Sequence, residues 1–281
     1  MFSISYCTVA MFALFNILIF YQTSIAAEYR LSMLPLYSTE DINARITPLA
    51  EYLAKQTGLP ISTTLTAGFN EYSQQLSSGR INIGFENPYI FVLNSGAHEV
   101  VAIASTANEG EKFRGIIITR SDSPLRTIIE LKGKKIGIVG QTSVGGFLSQ
   151  KLTLLESGID VAKDCIIEEA PENKHENVIF SVFAGDVDAG FIRESALLQA
   201  NEFVPAGAIR ILQPTAWMPN WALSLSRELP KEDRKKIVSA LLDIKPGSAV
   251  LKSLKVEALK PAQDSDYDSI RKVFGLAMSV K

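Results

Sequence analysis

Short apolar segments alternate with amphipathic ones along nearly the whole chain after residue 28. Residues 29–34 and 81–85 are apolar runs of strand length. Apolar residues in 39–57 instead recur at the spacing of one helix face, and Gly58 follows as a stop signal. Alternating strands and helices predict an α/β fold. The same pattern predicts further strands at residues 61–66, 100–105, 115–119, 135–139, 165–168, 187–191, 209–212 and 223–226.

Helices are predicted between these strands. The spacing favours helices at residues 70–78, 175–183 and 194–201, and Pro88 suits the first turn of another, where its missing N–H costs nothing. A further helix should begin at Thr142. We expect that helix to carry four apolar residues on one side, namely Phe147, Leu148, Leu152 and Leu155.

The predicted elements fall into two α/β blocks that the chain crosses twice. We assign residues 28–119 to the first part of lobe 1 and residues 120–213 to lobe 2. Residues 214–281 return to lobe 1 and add a mostly helical tail, opened by Pro230 and ending near Met278. Each lobe should contain a mixed sheet flanked by helices. A ligand cleft is then expected between the lobes, since clefts of this kind are where small ligands bind.

The charge balance excludes one class of partner. The chain has 28 Lys and Arg against 30 Asp and Glu, a net charge of -2, and no dense basic cluster. Because a nucleic-acid backbone is bound mainly by clustered positive charge, we expect no nucleic-acid partner.

The N-terminal segment predicts export. Residues 1–27 carry no charged side chain, and an apolar run of about a dozen residues is followed by small residues, which is typical of a secretory signal peptide. We expect cleavage after Ala26 or Ala27, and retention as a membrane anchor is the alternative. Cys165 is then the one cysteine left, and its apolar neighbours predict a buried strand thiol.

The most informative segment is residues 140–146, GQTSVGG, where a predicted strand ends and a helix begins. The first N–H groups of a helix have no partner within it, and the helix dipole places partial positive charge there. The hydroxyls of Thr142 and Ser143 beside small residues would let a phosphate-like or carboxylate group approach these N–H groups. The simpler interpretation is that Thr142 or Ser143 only caps the helix.

Other chemistry is sparse. The glycines of this segment lack the spacing of nucleotide-binding loops, and His98 and His175 form no recognisable triad or zinc motif. We therefore predict no enzyme, no catalytic residue, no metal and no cofactor. His98 falls in a predicted exposed turn, and His175 at a helix start favours a surface or capping role.

Strand ends supply further candidates. Asn87 follows one predicted strand, and Arg193 and Glu194 follow another. In open α/β sheets the carboxyl ends of strands point toward the ligand crevice, so these residues are candidate ligand contacts. For Arg193 and Glu194 an ordinary exposed ion pair is the alternative.

In order and spacing, these segments resemble the phosphate/phosphite/phosphonate-binding proteins of bacterial ABC importers, which have the type II periplasmic-binding fold. The likeness runs from about Tyr29 to about Ala277. It rests on the joint order of several pieces: TPLAEYL at 47–53, Thr57 and Gly58, Glu71 and Tyr72, SGRINIGF at 78–85 with Asn87 and Pro88, LKGKKI at 131–136, and His175 followed by AGDVDAG at 184–190.

The resemblance implies a ligand site. In that family a Ser-Thr-Ser-Gly sequence at a helix start grips the phosphonate oxygens, and an aromatic residue, a histidine and a carboxylate finish the pocket. Here Ser143 is kept, Val144 and Gly145 replace the Thr and the second Ser, and Thr142 could supply one hydroxyl. The other implied ligand residues are Tyr72, His175 and Glu194, and Phe91 stands where many members have a tyrosine.

The function implied by the resemblance is the solute-binding component of an ABC importer. Such a protein closes two lobes around a small oxyanion and delivers it to a membrane permease. Because two hydroxyl donors are replaced, we hypothesise that the ligand has drifted, for example to an oxyanion with an apolar part against Val144 and Phe91. The alternative is a periplasmic protein that reports ligand occupancy to a membrane sensor or docks another partner. We expect a periplasmic monomer, by analogy with this fold.

Overall fold

The fold is seen in a computed structural model, which describes residues 28–276 except 108, 199 and 201–203. The predicted signal peptide, residues 1–27, lies outside the described residues. Eleven strands form two sheets. Their bounds are β1 Tyr29–Met33, β2 Ile61–Thr63, β3 Ile83–Glu86, β4 His98–Ser105, β5 Lys112–Arg120, β6 Lys135–Ile138, β7 Ile166–Glu169, β8 Ala189–Arg193, β9 Ile209–Pro219, β10 Ala222–Ser226 and β11 Ala258–Pro261.

Helices flank both sheets. The α-helices are α1 Thr39–Thr57, α2 Phe69–Ser77, α3 Pro88–Asn94, α4 Ser149–Glu156, α5 Val161–Asp164, α6 His175–Ala184, α7 Glu194–Leu198, α8 Lys231–Leu242, α9 Ala249–Leu254 and α10 Asp268–Phe274. The prediction of α1 is confirmed at both ends. Ser38 caps its start by accepting a hydrogen bond from the N–H of Asp41, and Gly58 ends it in the left-handed conformation that glycine adopts without strain.

Both sheets are mixed, as predicted. The six-stranded sheet has the order β11-β4-β10-β3-β1-β2, and the five-stranded sheet has the order β7-β6-β8-β5-β9. In the first sheet β1 runs parallel to β2 and β3, whereas β10 runs antiparallel to β3 and β4. In the second sheet β6 runs parallel to β7 and β8, and β5 runs antiparallel to β8 and β9. The return of β10 to the first sheet confirms the predicted double crossing.

The predicted lobe boundaries need correction. We placed them at residues 119/120 and 213/214, but these positions fall at the end of β5 and inside β9. Both strands belong to the second sheet, where they pair along their length from Lys112 with Pro219 to Arg120 with Ile209. The chain therefore crosses between the sheets at about residues 106–111 and 220–221. The apolar pattern of the sequence does not by itself show where a crossing ends and a strand begins.

The two crossings are joined by the buried residue Asn220, which is 2% exposed. Its backbone N–H donates to the carbonyl of Glu111, and its side-chain amide donates to the carbonyl of Gly110. The Oδ1 atom of Asn220 accepts from the N–H of Trp221, and its carbonyl accepts from the hydroxyl of Tyr267. Three of these hydrogen bonds tie the second crossing to the first or to the C-terminal part of lobe 1.

The helix predicted to begin at Thr142 has an irregular first turn. Residues Val144–Leu148 form a π-helical turn, in which the N–H of Leu148 donates to the carbonyl of Ser143, before α4 continues. A π turn holds an extra residue, so the residues after it are rotated about the helix axis relative to a regular α-helix. The prediction that Leu155 shares the buried side of this helix is wrong. Leu155 is 55% exposed, whereas Leu154 is fully buried.

Two side chains have environments that the sequence did not indicate. His98 is fully buried at the start of β4, where its ring nitrogens contact the hydroxyl of Ser224 and the carbonyl of Ile81. The prediction of an exposed turn is therefore wrong, because a partner 126 residues away supplies the burial. Cys165 is half-buried and precedes the edge strand β7 instead of lying in a buried strand, and its thiol donates to the carbonyl of Leu131.

The burial of Leu154 and the exposure of Leu155 predict unequal stability effects for these two adjacent leucines. Replacing Leu154 by Ala should lower the free energy of unfolding by about 2–5 kcal/mol, because the change leaves a cavity in the core. The matched control, Leu155 to Ala, should change it by less than about 0.5 kcal/mol. Urea unfolding of both variants measures the difference. Equal losses of stability in the two variants would contradict the burial of Leu154 and the exposure of Leu155.

Burial of His98 predicts a pH-dependent stability. Burial lowers the pKa of His98 to about 4, whereas an unfolded chain takes up this proton near pH 6.5. As the pH falls from 6.5 toward 4, only the unfolded state gains a proton at His98, so folding loses stability on the order of 3 kcal/mol. A His98→Gln variant should lose less stability over this pH range than the wild-type protein in urea unfolding. If the two proteins lost the same stability over this pH range, the lowered pKa of His98 would be refuted.

Candidate functional site

A cleft of about 1030 Å³ opens between the two lobes. Its wall in lobe 2 comes from the segments that follow β6 and β7 and from the end of β8. Its wall in lobe 1 is mainly apolar. The lobe 1 residues are Leu36, Tyr37, Phe69, Asn87, Pro88 and Trp221. Residues from lobe 2 are Phe113, 139–145, Glu169, Glu172, Asn173, Lys174, His175, Glu176 and Arg193. Both walls lie at strand ends, as expected for an α/β fold.

Ser143 caps the helix start that faces this cleft. Its Oγ accepts a hydrogen bond from the N–H of Gly146 at 3.0 Å. A hydroxyl that accepts through a lone pair keeps its own proton available, so Ser143 can cap the helix and still donate to an anion. The capping interpretation and the anion interpretation are therefore compatible. The N–H groups of Val144 and Gly145 lie in the first turn and have no acceptor within the helix.

Close packing shapes the turn before this helix. Asn173 donates its side-chain amide to the carbonyl of Val139 at 2.7 Å. A Cβ atom on Gly140 would lie only 2.6 Å from the Nδ2 of Asn173, and one on Gly146 would lie 2.4 Å from a methyl of Val139. Neither position has room for a side chain. The two glycines therefore allow the turn to pack tightly under the cleft.

Gly145 is restricted in the same way by the neighbouring strand. A Cβ atom there would lie 3.1 Å from the Cβ of Arg193 and 3.2 Å from the ring of Phe113. Thr142 is exposed, Ser143 is half-buried, and Val144 and Gly145 are buried. The four residues predicted at the helix start therefore all line the cleft, with hydroxyls at 142 and 143 and close packing at 145.

His175 lines the cleft from the start of α6. Its Nδ1 accepts a hydrogen bond from the backbone N–H of Arg193 at 3.2 Å. Burial and the nearby Arg193 charge lower the pKa of His175 to about 4, against a raising effect of Glu176. The ring is therefore neutral at neutral pH. Since Nδ1 is the acceptor, the proton resides on Nε2, which makes His175 a neutral hydrogen-bond donor.

Arg193 and Glu194 do not pair with each other. Arg193 lines the cleft, where its Nε donates to Oε2 of Glu109 at 2.8 Å and its guanidinium lies 4.1 Å from the centre of the Phe113 ring. Glu194 instead makes a bidentate pair with Arg114, with both N–O distances 2.6 Å. Glu194 is not part of the cleft lining. The interpretation of Arg193 and Glu194 as one exposed ion pair is wrong.

Asn87 reaches the cleft from lobe 1. Its Oδ1 accepts from the N–H of Ile90 at 2.9 Å, so Asn87 caps α3, and Pro88 occupies the first helical position as predicted. The side-chain NH₂ of Asn87 is left as a donor. Beside it, the ring of Trp221 lies 5.2 Å from that of Phe85. Lobe 1 thus offers one amide in a mainly apolar wall.

Tyr72 and Phe91 lie away from the cleft. Tyr72 is fully buried and donates its hydroxyl to Glu86 at 2.8 Å, and Phe91 is fully buried with its ring 4.7 Å from that of Tyr267. The aromatic residue of this region that lines the cleft is Phe69, one helical turn before Tyr72. The hypothesis that an apolar ligand group contacts Phe91 is therefore wrong for the conformation described.

Several residues of the site carried no clear sequence signal. Phe69 at the start of α2 could have been found, because helix starts near strand ends were already candidates. The sequence carries no such signal for Phe113 and Glu109, because their contacts with Arg193 arise only when distant segments of the chain come together. Within residues 28–276, apart from the few positions not described, there is no group of three or more His, Cys, Asp or Glu able to hold a metal ion. Over the same part of the chain, no helix has the length and apolarity to cross a membrane.

Comparison with known proteins agrees with this geometry. Residues 31–267 match the family described as "ABC transporter, phosphonate, periplasmic substrate-binding protein". A curated relative, "Phosphate-import protein PhnD" of Mycolicibacterium smegmatis, is 21% identical, and the alignment covers 89% of this chain and 86% of the relative.

Solved structures share the fold. PhnD1 of Prochlorococcus marinus in complex with methylphosphonate matches with a TM-score of 0.69 and 14% identity, covering 87% of this chain and 96% of that one. XAC2383 of Xanthomonas citri bound to ATP matches with a TM-score of 0.74 and 16% identity, covering 88% and 95%. These matches confirm the two-lobed periplasmic-binding fold. The chain belongs to the family of periplasmic substrate-binding proteins of phosphonate ABC transporters.

Proposed function

We propose that this protein binds a small oxyanion of phosphate or phosphonate type at residues 142–145, between lobes that close over it. The observation that carries the proposal is the helix start in the cleft, where the Ser143 hydroxyl caps the helix and keeps its proton free to donate. Partial positive charge at a helix start favours an anion without placing a full charge in the cleft.

Further donors converge on the same space. The neutral ring of His175 supplies Nε2–H on the lobe 2 wall of the cleft, and Asn87 supplies its side-chain NH₂ on the lobe 1 wall. A ligand that contacts both walls stabilises the closed arrangement, so binding would draw the lobes together by a hinge at the two crossings. Thr142, Val144 and Gly145 line the same helix start, where the Thr142 hydroxyl and the backbone N–H groups of Val144 and Gly145 are further donors in this proposal. Tyr72 and Glu194 are not included in this proposal, because they lie outside the lining.

The ligand is delivered unchanged in this proposal, so the protein is a binding component and not an enzyme. The partner is the membrane permease of an ABC importer, which receives the ligand from the closed protein. Export with cleavage after Ala26 or Ala27 and a monomeric state remain part of the proposal. No observation among the described residues favours the sensory alternative.

The ligand class is tested by thermal unfolding of the protein produced from the full-length chain. The panel is phosphate, phosphite, methylphosphonate, ATP, sulfate and acetate, which covers the ligands of the relatives and two controls. A ligand that binds only the folded state at about 100 times its Kd should add roughly 2.7 kcal/mol of stability. We expect upward shifts in Tm with phosphate or methylphosphonate. Shifts with acetate alone, or with none of the six, would reject the proposal.

The helix-start contact is tested by Ser143→Ala. Loss of the hydroxyl should weaken binding of the oxyanion by about tenfold or more, since one hydrogen bond to a charged group contributes roughly 1.5–3 kcal/mol. Ser143→Thr, which keeps a hydroxyl, should retain most of the affinity. Ser157→Ala, at the opposite end of the same helix, is the matched control. Isothermal titration calorimetry measures each Kd, and an unchanged Kd for Ser143→Ala would refute the contact.

A further inference from the structure

Two cations line the cleft, and they differ in environment. Lys174 pairs with Glu172, and both side chains are largely exposed, at 56% and 68%. Arg193 pairs with Glu109, and their side chains are only 21% and 9% exposed. Because solvent weakens exposed charges, Arg193 is the cation of the described lining with the stronger effect on a bound anion.

The stem of Arg193 packs directly against the helix start. A Cβ atom at position 145 would lie 3.1 Å from the Cβ and 3.4 Å from the Cγ of Arg193. A hydroxyl side chain at Gly145 would therefore displace the arginine stem or the Phe113 ring behind it. Glycine at position 145 has no hydroxyl to donate, and its missing side chain leaves room for the stem of Arg193.

The guanidinium has unused donors. Among the described residues, its side-chain hydrogen bonds go only to Oε2 of Glu109, from Nε and Nη2. A guanidinium carries five N–H groups, so three remain without a protein acceptor. One face of the group lies over Phe113, which holds its plane in position. An oxyanion bound at Ser143 can therefore accept hydrogen bonds from the charged Arg193 guanidinium as well as from neutral donors.

We propose that Arg193 binds the ligand oxyanion in place of the hydroxyls replaced by Val144 and Gly145, and makes the site selective for dianionic over monoanionic oxyanions. The inference rests on the proposed function and narrows its ligand class. A charged donor gains more from a second negative charge than a neutral hydroxyl does, because the interaction is Coulombic. Phosphonates and phosphate lose their second proton at or slightly above neutral pH, so their dianions are available to the site there, whereas sulfonates of the same shape never carry a second charge.

Glu109 competes with the ligand for this guanidinium. It belongs to the first crossing between the lobes, at residues 106–111, and its Oε1 is buried without a hydrogen-bond partner among the described residues. A ligand anion must therefore compete with the Glu109 carboxylate for the guanidinium of Arg193. Glu109 therefore lowers the affinity of the cleft for anions by competing for Arg193.

Calorimetric titration with methylphosphonate and methanesulfonate, two anions of like shape and different charge, tests the proposal. The protein is produced from the full-length chain. Arg193→Gln should weaken methylphosphonate binding by about tenfold or more, and methanesulfonate binding by less. Glu109→Gln should tighten methylphosphonate binding by about fivefold, because the competing charge is removed. This gain in methylphosphonate affinity should vanish when Glu109→Gln is combined with Arg193→Gln.

The matched control is Glu111→Gln, in the same crossing, whose carboxylate pairs with Lys260 outside the cleft. It should leave both affinities unchanged. If Arg193→Gln does not fold, Arg193→Lys keeps the charge and loses the forked geometry, and should weaken methylphosphonate binding by a smaller factor.

Three results would overturn the inference. They are an unchanged methylphosphonate affinity in the arginine variants, an equal loss for both anions, and unchanged or weaker binding in Glu109→Gln. In each case wild-type binding of methylphosphonate would leave the proposed function standing. A wild-type protein that binds none of phosphate, phosphite and methylphosphonate would remove both.

Discussion

The hydrogen bonds of Asn220 hold together the two places where the chain passes from one sheet to the other. All its polar groups are used within 3.3 Å, toward Glu111, Gly110, Trp221 and Tyr267. A buried amide that lost these partners would cost free energy, so the two crossings stay side by side. The cleft opens between the two lobes that these crossings join.

The cleft combines two unlike walls because different kinds of elements end there. Lobe 2 presents helix starts and tight turns, which supply N–H groups, the Ser143 hydroxyl and a neutral His175. Lobe 1 presents mainly apolar side chains, including Phe69 and Pro88 at helix starts, with the amide of Asn87 beside them. Neutral donors bind an anion with little desolvation cost before binding, whereas a lone buried charge would be expensive. Arg193 avoids that cost through its pairing with Glu109.

Burial also explains why titratable groups near the cleft are not all part of it. Glu86 is the last residue of β3 and is fully buried, and burial raises its pKa to about 7 against the lowering effects of the Ser224 and Tyr72 hydroxyls. The same Ser224 hydroxyl contacts His98. Tyr72, Glu86 and His98 thus surround Ser224 in a polar group inside lobe 1. Its members fix strands and a helix of that lobe, and they do not line the cleft.

The sequence by itself determined the fold class, the two blocks, and the helix start with its hydroxyls. These are local properties: apolar periodicity, Gly58 and Pro88 as helix signals, and Ser143 at a strand end. Family resemblance added the ligand class, which the family match supports. The tertiary structure decided what depends on contacts between distant residues. Arg193 meets Glu109 across 84 positions, and His98 is buried against Ser224 across 126.

The same distinction explains the residues that were misplaced. Tyr72 and Phe69 lie on one short helix, and only the packing of that helix decides that Tyr72 enters the core while Phe69 faces the cleft. Leu155 was placed on the apolar side of its helix, but packing buries the face of Gln150 and Leu154 instead. Sequence patterns determine which elements form, because those preferences are local. Which side chain faces the ligand is decided by packing, because burial is a property of the whole fold.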